Sequence, residues 1–392
     1  MEHFNTIYLD NNSTTPVDPR VKEEIKPFLK EKYGNPNSLH RKGTETRKAI
    51  EEARKKVASL IKASEKEIYF TSGATEANNL AVKGTALERR DEGTHIITTK
   101  VEHDCIIKAC ESLEKQGFEV TYLEPDENGV IKPDKIRENL REDTILVSVM
   151  MANNEIGSLQ PIKEIGKILS KTDTYFHTDA AQALGKIPVD ARELGVDMLT
   201  LNAHKMYGPK GIGALWKKRN VRLEPLIHGG GQENGLRSGT ENVPYIAGFG
   251  KAAELAEKEL EKDRKKLERL TKKLLEKLDS RIDDWVLNGP DKPKERLPGN
   301  LNVSFHGVEG EALMLKLDDE NIQVSTGSAC ASESLEPSHV LSAIDKNPEV
   351  AHSSIRIGLG RFNTEKDVEK LAETLPDIVE SLRQISSIKT FE

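Results

Sequence analysis

Lys205 is hard to explain as an ordinary solvated side chain. It follows His204 just past the apolar run 196–201, and the turn Gly208-Pro209-Lys210-Gly211 comes next. Such a run reads as a buried strand. A partly desolvated lysine loses proton affinity and becomes a usable nucleophile, as a Schiff base requires. A loop lysine beside a Gly-rich turn accounts for this stretch alone equally well. Asp179 closes a second strand-like run, 174–178. That places a carboxylate at a strand's C-terminal end, where open α/β sheets bind ligands. Gln182, three residues on, lies on the same side of the opening helical turn. Cys330 stands among Ser328, Ala329, Ala331 and Ser332. Without large apolar neighbours it reads as an accessible thiol, or else as a small cysteine filling a tight turn. Arg356 lies in a strand over 353–362 and is suited to holding a carboxylate by a two-pronged contact, or to a surface ion pair. His103, just past the strand 96–99, is placed to stack on a planar cofactor. With Cys105 and Cys110 it matches no zinc-binding spacing.

These residues need rigid elements behind them. Around Ser72-Gly73-Ala74-Thr75-Glu76 the pattern is strand, tight turn, helix. A helix start of that kind offers free N–H groups and a positive dipole end to a phosphate, with Thr75 adding a hydroxyl. Ser72 or Thr75 acting only as an N-cap explains the same letters. Strands are expected at 96–99, 118–123, 144–151 and 174–178, separated by amphipathic helices, so a mostly parallel sheet covered on both faces follows. His40 reads as a surface loop residue. The loop 228–240 is Gly-rich but lacks the spacing and the βαβ frame of a dinucleotide fingerprint. A long charged helix runs from Lys251 to about Asp279, with Leu267, Leu270, Leu274 and Leu278 as its apolar stripe. After it the pattern becomes α+β, with a strand over 301–305 and a helix over 310–317.

The totals bound the function. The 392 residues are 36% hydrophobic and 31% charged, a soluble globular balance. A net charge of −7 argues against nucleic acid as the main partner. No apolar run approaches the roughly 18 residues of a membrane helix, and the Met1-Glu2-His3 start lacks the pattern of a secretory signal. Three cysteines are too few for a disulfide framework, so a cytoplasmic, reducing setting is expected.

In order along nearly the whole chain, the stretches 8–16, 72–78, 153–157, 179–182, 204–213, 237–240, 328–337 and 353–362 resemble the cysteine desulfurases of the NifS/IscS type. Those are pyridoxal phosphate (PLP) enzymes with the aspartate aminotransferase-like fold. The resemblance implies an α/β fold of type I, with a large PLP-binding domain over 15–260. A smaller α+β domain would combine 1–14 with 261–392 and carry the Cys330 loop. It implies that Lys205 carries PLP and moves protons at the substrate Cα, and that Asp179 pairs with the pyridine nitrogen, keeping the ring an electron sink. Gln182 and Asn154 would contact the ring oxygen and its surroundings, with Asn154 also near the substrate. His103 would stack on the ring and act as acid or base. Ala74, Thr75, Asn202, His204 and, across a homodimer, Thr240 would hold the phosphate. Arg356 would bind the carboxylate of L-cysteine, and Cys330 would take its sulfur as a persulfide.

The implied partners are a second copy of the chain and an iron–sulfur scaffold protein of the IscU/NifU type, or another sulfur acceptor. No metal site intrinsic to the chain is implied; a cluster shared with the scaffold through Cys330 stays open. Two departures from the family stand out. Asn202 occupies a position that often holds Ser, and the final residues 387–392 lack the longer tail that IscS-type members turn toward a scaffold. A selenocysteine lyase or an aminotransferase of the same fold type is the alternative activity, and a catalytically silent binding protein the alternative class. An aminotransferase has no need of Cys330.

Overall fold

The computed structural model describes residues 6–326, 337–344 and 347–386. Its strands are β1 (Ile7–Tyr8), β2 (Ile68–Thr71), β3 (His95–Thr99), β4 (Glu119–Leu123), β5 (Thr144–Ser148), β6 (Tyr175–Asp179), β7 (Met198–Asn202), β8 (Gly213–Lys217), β9 (Trp285–Asn288), β10 (Asn300–Phe305), β11 (Ile322–Gln323) and β12 (Ser354–Gly358). Its helices are α1 (Pro19–Lys30), α2 (Arg41–Leu60), α3 (Ala74–Glu88), α4 (Asp104–Glu114), α5 (Pro133–Asn139), α6 (Ile162–Leu169), α7 (Val243–Arg281), α8 (Gly310–Asp319), α9 (His339–Ala343), α10 (Pro348–His352) and α11 (Glu365–Ile385).

The main sheet has seven strands in the order β2-β8-β7-β6-β5-β3-β4. Neighbours from β7 through to β4 are parallel, while β8 runs antiparallel to both β7 and β2. The reversal at β8 has a plain cause: the connection 203–212 is shorter than the dozen or so residues a parallel crossover needs. Strands β3, β5, β7 and β8 are buried along their whole length, as expected of a sheet covered on both faces. Alternate side chains feed two apolar layers. Ile97, Val147, Phe176 and Leu199 pack against α2 and the first half of α7, while Ile96, Leu146, Met198 and Leu215 pack against α3 and α4.

A second core begins further along α7. Leu267, Leu270, Leu274 and Leu278 join Leu301, Val303, Ile355, Leu371 and Leu375, together with Leu9 from the N-terminal segment. It lies under the antiparallel sheet β12-β10-β9, with β1 paired in parallel with β11. The leucine stripe is therefore buried as its spacing predicts. The helix begins earlier than its charge pattern suggests, because Gly248 and Gly250 belong to it. A Cβ at Gly248 would meet Ile25 side-chain atoms at 2.8 Å, and one at Gly250 would meet the Ala53 Cα at 2.6 Å. These glycines let α1 and α2 approach closely. His40 is exposed and N-caps α2, its Nδ1 accepting from the Gly43 N–H at 3.3 Å. Among the described residues, no helix is long and apolar enough to cross a membrane.

Candidate active site

The parallel strands deliver their C-terminal ends to one edge of the sheet, and the sequence-predicted residues collect there. Asp179 ends β6 and is buried. Its Oδ2 accepts from Asn78 Nδ2 at 2.6 Å and its Oδ1 from the Ala181 N–H at 2.8 Å. Lys205 follows β7 by three residues and is half-buried, its Nζ donating to the backbone oxygens of Asn12 at 2.5 Å and Ser13 at 2.7 Å. The segment after β1 thus reaches across from the second core to hold this lysine. His103 N-caps α4. Burial holds its pKa below the usual imidazole value; Asp179 pulls it up and Lys205 pushes it down. Asn78 and Cys105 join His103 to Asp179: Asn78 Nδ2 lies 2.6 Å from Asp179 Oδ2 and 3.2 Å from Cys105 Sγ, which is 3.2 Å from His103 Nδ1.

The nitrogen His103 presents to that space is set by its neighbours. Its Nδ1 accepts from the Cys105 N–H at 3.2 Å. A nitrogen that accepts carries no hydrogen in the neutral ring, so the proton sits on Nε2. His204 is tied to the N-terminal segment, with Nδ1 3.1 Å from Thr14 Oγ1 and its carbonyl accepting from the Thr15 N–H and hydroxyl. Burial, then Lys205 and Lys210, push its pKa down to about 4, so it is neutral near pH 7.

Arg356 is buried in β12. Its Nη2 donates to Asp10 Oδ1 at 2.9 Å and to Ser13 Oγ, and its Nη1 donates to the Asn154 carbonyl at 3.2 Å. Its Nε has no acceptor among the described residues. Gln182 is buried and donates from Nε2 to the Asn12 carbonyl at 2.9 Å.

At the other end of the space, α3 starts at Ala74 with Gly73 as N-cap, and no side chain caps its N–H groups. Neither Ser72 nor Thr75 takes the capping role; Glu76 accepts from the Ser72 N–H at 2.9 Å instead. A Cβ on Gly73 would face open space, while one on Gly213 would strike the Gly73 backbone at 2.7 Å. Asn202, paired with Gly213 across the β7–β8 ladder, is buried with its Oδ1 lacking a partner among the described residues. An amide's O and N exchange by a flip, so this end accommodates an anion's contacts. An uncapped helix start, an open glycine face and an unsatisfied amide together fit a phosphate.

The comparisons with known proteins agree over the whole chain. The model of the class-V aminotransferases matches residues 7–371. A protein of Dictyoglomus turgidum named cysteine desulfurase IscS is 54% identical over 383 residues, covering 98% of this chain and 97% of that one. The mitochondrial cysteine desulfurase of Saccharomyces cerevisiae is 51% identical, covering 97% of this chain and 76% of its own length. The chain belongs to the class-V aminotransferase family, among its cysteine desulfurases. A solved NifS-like protein superposes with a TM-score of 0.90 at 40% identity, over 96% of this chain and all of its own. The structure titled "SspA in complex with cysteine" gives 0.81 at 38% identity, over 92% of this chain and all of that one.

Within this desulfurase-family chain, the structure gathers Ala74, Thr75, His103, Asn154, Asp179, Gln182, Asn202, His204, Lys205 and Arg356 around the strand ends. It leaves Thr240 exposed on the loop 228–240. Cys330 lies outside the described residues. The segments on either side of it are tied to the site: Ser325 and Arg356 exchange backbone hydrogen bonds, Ser338 Oγ donates to Glu155 Oε2 at 2.5 Å, and His339 Nε2 donates to the Glu102 carbonyl at 2.9 Å.

Several site residues escape a reading of the sequence. Asn12 and Ser13 hold Lys205 through backbone carbonyls, a contact for which any residue type would serve. Asn78 lies one helical turn past Ala74, and its spacing offers the only signal. Cys105, whose spacing offers no metal site, reaches the site wall: its Sγ is 3.2 Å from His103 Nδ1 and from Asn78 Nδ2. Burial, with Asp179 next, pushes this thiol up to about 12, so it stays protonated and unreactive. Cys110 is buried in the apolar layer under α3.

Proposed function

We propose that this chain is a PLP-dependent cysteine desulfurase that moves the sulfur of L-cysteine onto Cys330 and releases L-alanine. The observation that carries the reading is the meeting of Asp179, Lys205 and His103 in one space closed by the α3 start. Bound there, PLP would supply an aldehyde and an electron sink for the substrate's Cα and Cβ. Lys205 is the amine held for attachment, and once displaced it is the group that moves a proton at Cα. Asp179, with Asn78 behind it, would face the ring nitrogen. His103 lies where it can cover the ring face, its Nε2–H available as an acid. Ala74, Thr75, Asn202 and His204 would receive the phosphate, and Arg356 the substrate carboxylate, beside Asn154.

The reaction balances without an outside oxidant. The C–S bond breaks and its electron pair stays on Cβ, which takes up a proton. The sulfur forms a new S–S bond with Cys330, whose thiol must first lose its proton. We further read the enzyme as cytoplasmic and homodimeric, with Thr240 completing the phosphate site across the dimer. The persulfide would then pass to an iron–sulfur scaffold protein or another sulfur acceptor. Incubation of the holoenzyme with L-cysteine and a reductant, with no keto acid present, is expected to yield alanine and sulfide in equal amounts. Alanine that appears only when a keto acid is supplied would make the chain an aminotransferase.

A further inference from the structure

Lys186 is a lysine inside the protein. It lies on the turn after Gln182 and is buried. Gly185, at φ 73°, makes the bend that precedes it. Its Nζ donates to Gln182 Oε1 at 3.1 Å. On the far side of the same amide, Gln182 Nε2 donates to the Asn12 carbonyl, which also accepts from Lys205 Nζ. Lysine ammonium groups only donate and backbone carbonyls only accept. The two neighbours therefore demand the same orientation of Gln182: its nitrogen faces the Asn12 carbonyl and its oxygen accepts from Lys186 and, at 3.5 Å, from Asn12 Nδ2.

We propose that Lys186 is a positioning residue that fixes the orientation of the Gln182 amide, so that Gln182 offers the site a hydrogen-bond donor and never an acceptor. This rests on the reading of the site as a PLP site, in which Gln182 faces the phenolic oxygen of the ring. A fixed N–H donor there favours the deprotonated oxygen. With Lys186 removed, Asn12 alone holds the amide, and the turned-over form, which presents its oxygen and favours the protonated ring oxygen, becomes more populated.

Burial is also consistent with a site-directed role. It pushes the pKa of Lys186 down to about 7, with Lys205 and Arg356 as the like charges facing it. The ammonium form can only donate, so Lys186 holds the amide most firmly on the acid side of neutral pH.

The test is an absorbance titration of the holoenzyme without substrate, on the unmutated protein, Lys186→Met, Lys186→Arg, Gln182→Ala and the double variant Lys186→Met/Gln182→Ala. The proposal expects Lys186→Met to raise the apparent pKa of the bound chromophore by about one unit, a tenfold change in proton affinity. Lys186→Arg, which keeps a donor, should restore most of it. Adding Lys186→Met to Gln182→Ala should change nothing further. An equal shift in both backgrounds would mean that the lysine acts by charge alone and would overturn the proposal, as would an unshifted Lys186→Met that binds the cofactor. If Lys186→Met does not fold, Lys186→Gln, itself able to donate, is expected to retain the unmutated titration; a shift as large as that of Gln182→Ala would overturn the proposal. An unmutated protein with no PLP chromophore would sink the functional reading, and this inference with it.

Discussion

Asp179 is held by two donors, the Asn78 amide and the Ala181 N–H, and neither carries a full charge. A buried carboxylate whose side-chain oxygens meet neutral donors among the described residues is suited to a cationic partner, which in the proposed function is the protonated ring nitrogen. Removing one member of a buried, hydrogen-bonded charge pair costs about 2–5 kcal/mol. Asp179→Ala is therefore expected to weaken PLP binding by roughly 30- to 5,000-fold, read by equilibrium dialysis. Unchanged affinity and unchanged turnover at saturating PLP would place Asp179 outside the site.

His177 makes a separate prediction about stability. It is fully buried in β6, between Ser148 Oγ at 2.9 Å and Thr200 Oγ1 at 3.0 Å. Burial pushes its pKa down to about 3. An unfolded chain, with a histidine near ~6.5, binds the proton more readily, so this residue's contribution to stability rises with pH up to about 6.5 and is lost below. Glu102, pushed up to about 8 by burial, works in the opposite direction: it favours the fold at low pH and less so as pH rises from its unfolded value. A comparison isolates the histidine. In urea unfolding between pH 4.5 and 6.5, stability should climb less steeply in His177→Asn than in the unmutated protein. Parallel curves would show that His177 takes a proton inside the fold.

The elements decide where the phosphate end of the site can lie. β8 returns against β7 so closely that Gly213 touches Gly73, and this contact fixes the first turn of α3 against the sheet. The two glycines should answer differently to a methyl group. At Gly213 it meets only backbone, Gly73 at 2.7 and 2.8 Å and the Leu201 carbonyl at 2.8 Å, so Gly213→Ala is expected to lower stability by about 1–3 kcal/mol. At Gly73 the backbone is extended, with φ 161°, and the space is open. Gly73→Ala should fold with an unchanged melting temperature, yet bind PLP more weakly because the methyl group stands where the phosphate approaches. A Gly73→Ala protein with full PLP affinity would move the phosphate away from α3.

Over the whole molecule, what the sequence reveals and what it hides divide along a physical line. Asp179, Lys205 and Arg356 are legible because each is a charged residue at a strand end or within an apolar strand, and burial of charge leaves a local signature. The parallel sheet is legible from alternating strand and helix periods. The antiparallel turn of β8 follows from the short connection before it. The leucine stripe of α7 gives the second core, and we read the division between the two units as falling near residue 260, between Ala256 in the first core and Leu267 in the second. Asn12, Ser13, Cys105 and Lys186 are hidden because their roles arise from contacts between segments far apart in sequence, which no local pattern records. The Asn12 carbonyl, for instance, meets Lys205 only because β1 pairs with β11 and carries the following turn over the sheet edge.

The same long-range arrangement ties both flanks of the Cys330 segment to the site, one to Arg356 and the other to Glu155 and the carbonyl of Glu102. The central claim is that Cys330 receives the sulfur while the other two cysteines do not. The most direct measurement is mass spectrometry of the holoenzyme after incubation with L-cysteine and no reductant, on the unmutated protein, Cys330→Ala and Cys105→Ala. The account predicts a one-sulfur adduct on Cys330 in the unmutated protein and in Cys105→Ala. In Cys330→Ala it predicts no adduct and no sustained alanine release, with PLP still bound. An adduct on Cys105 or Cys110, or full alanine output from Cys330→Ala, would contradict it.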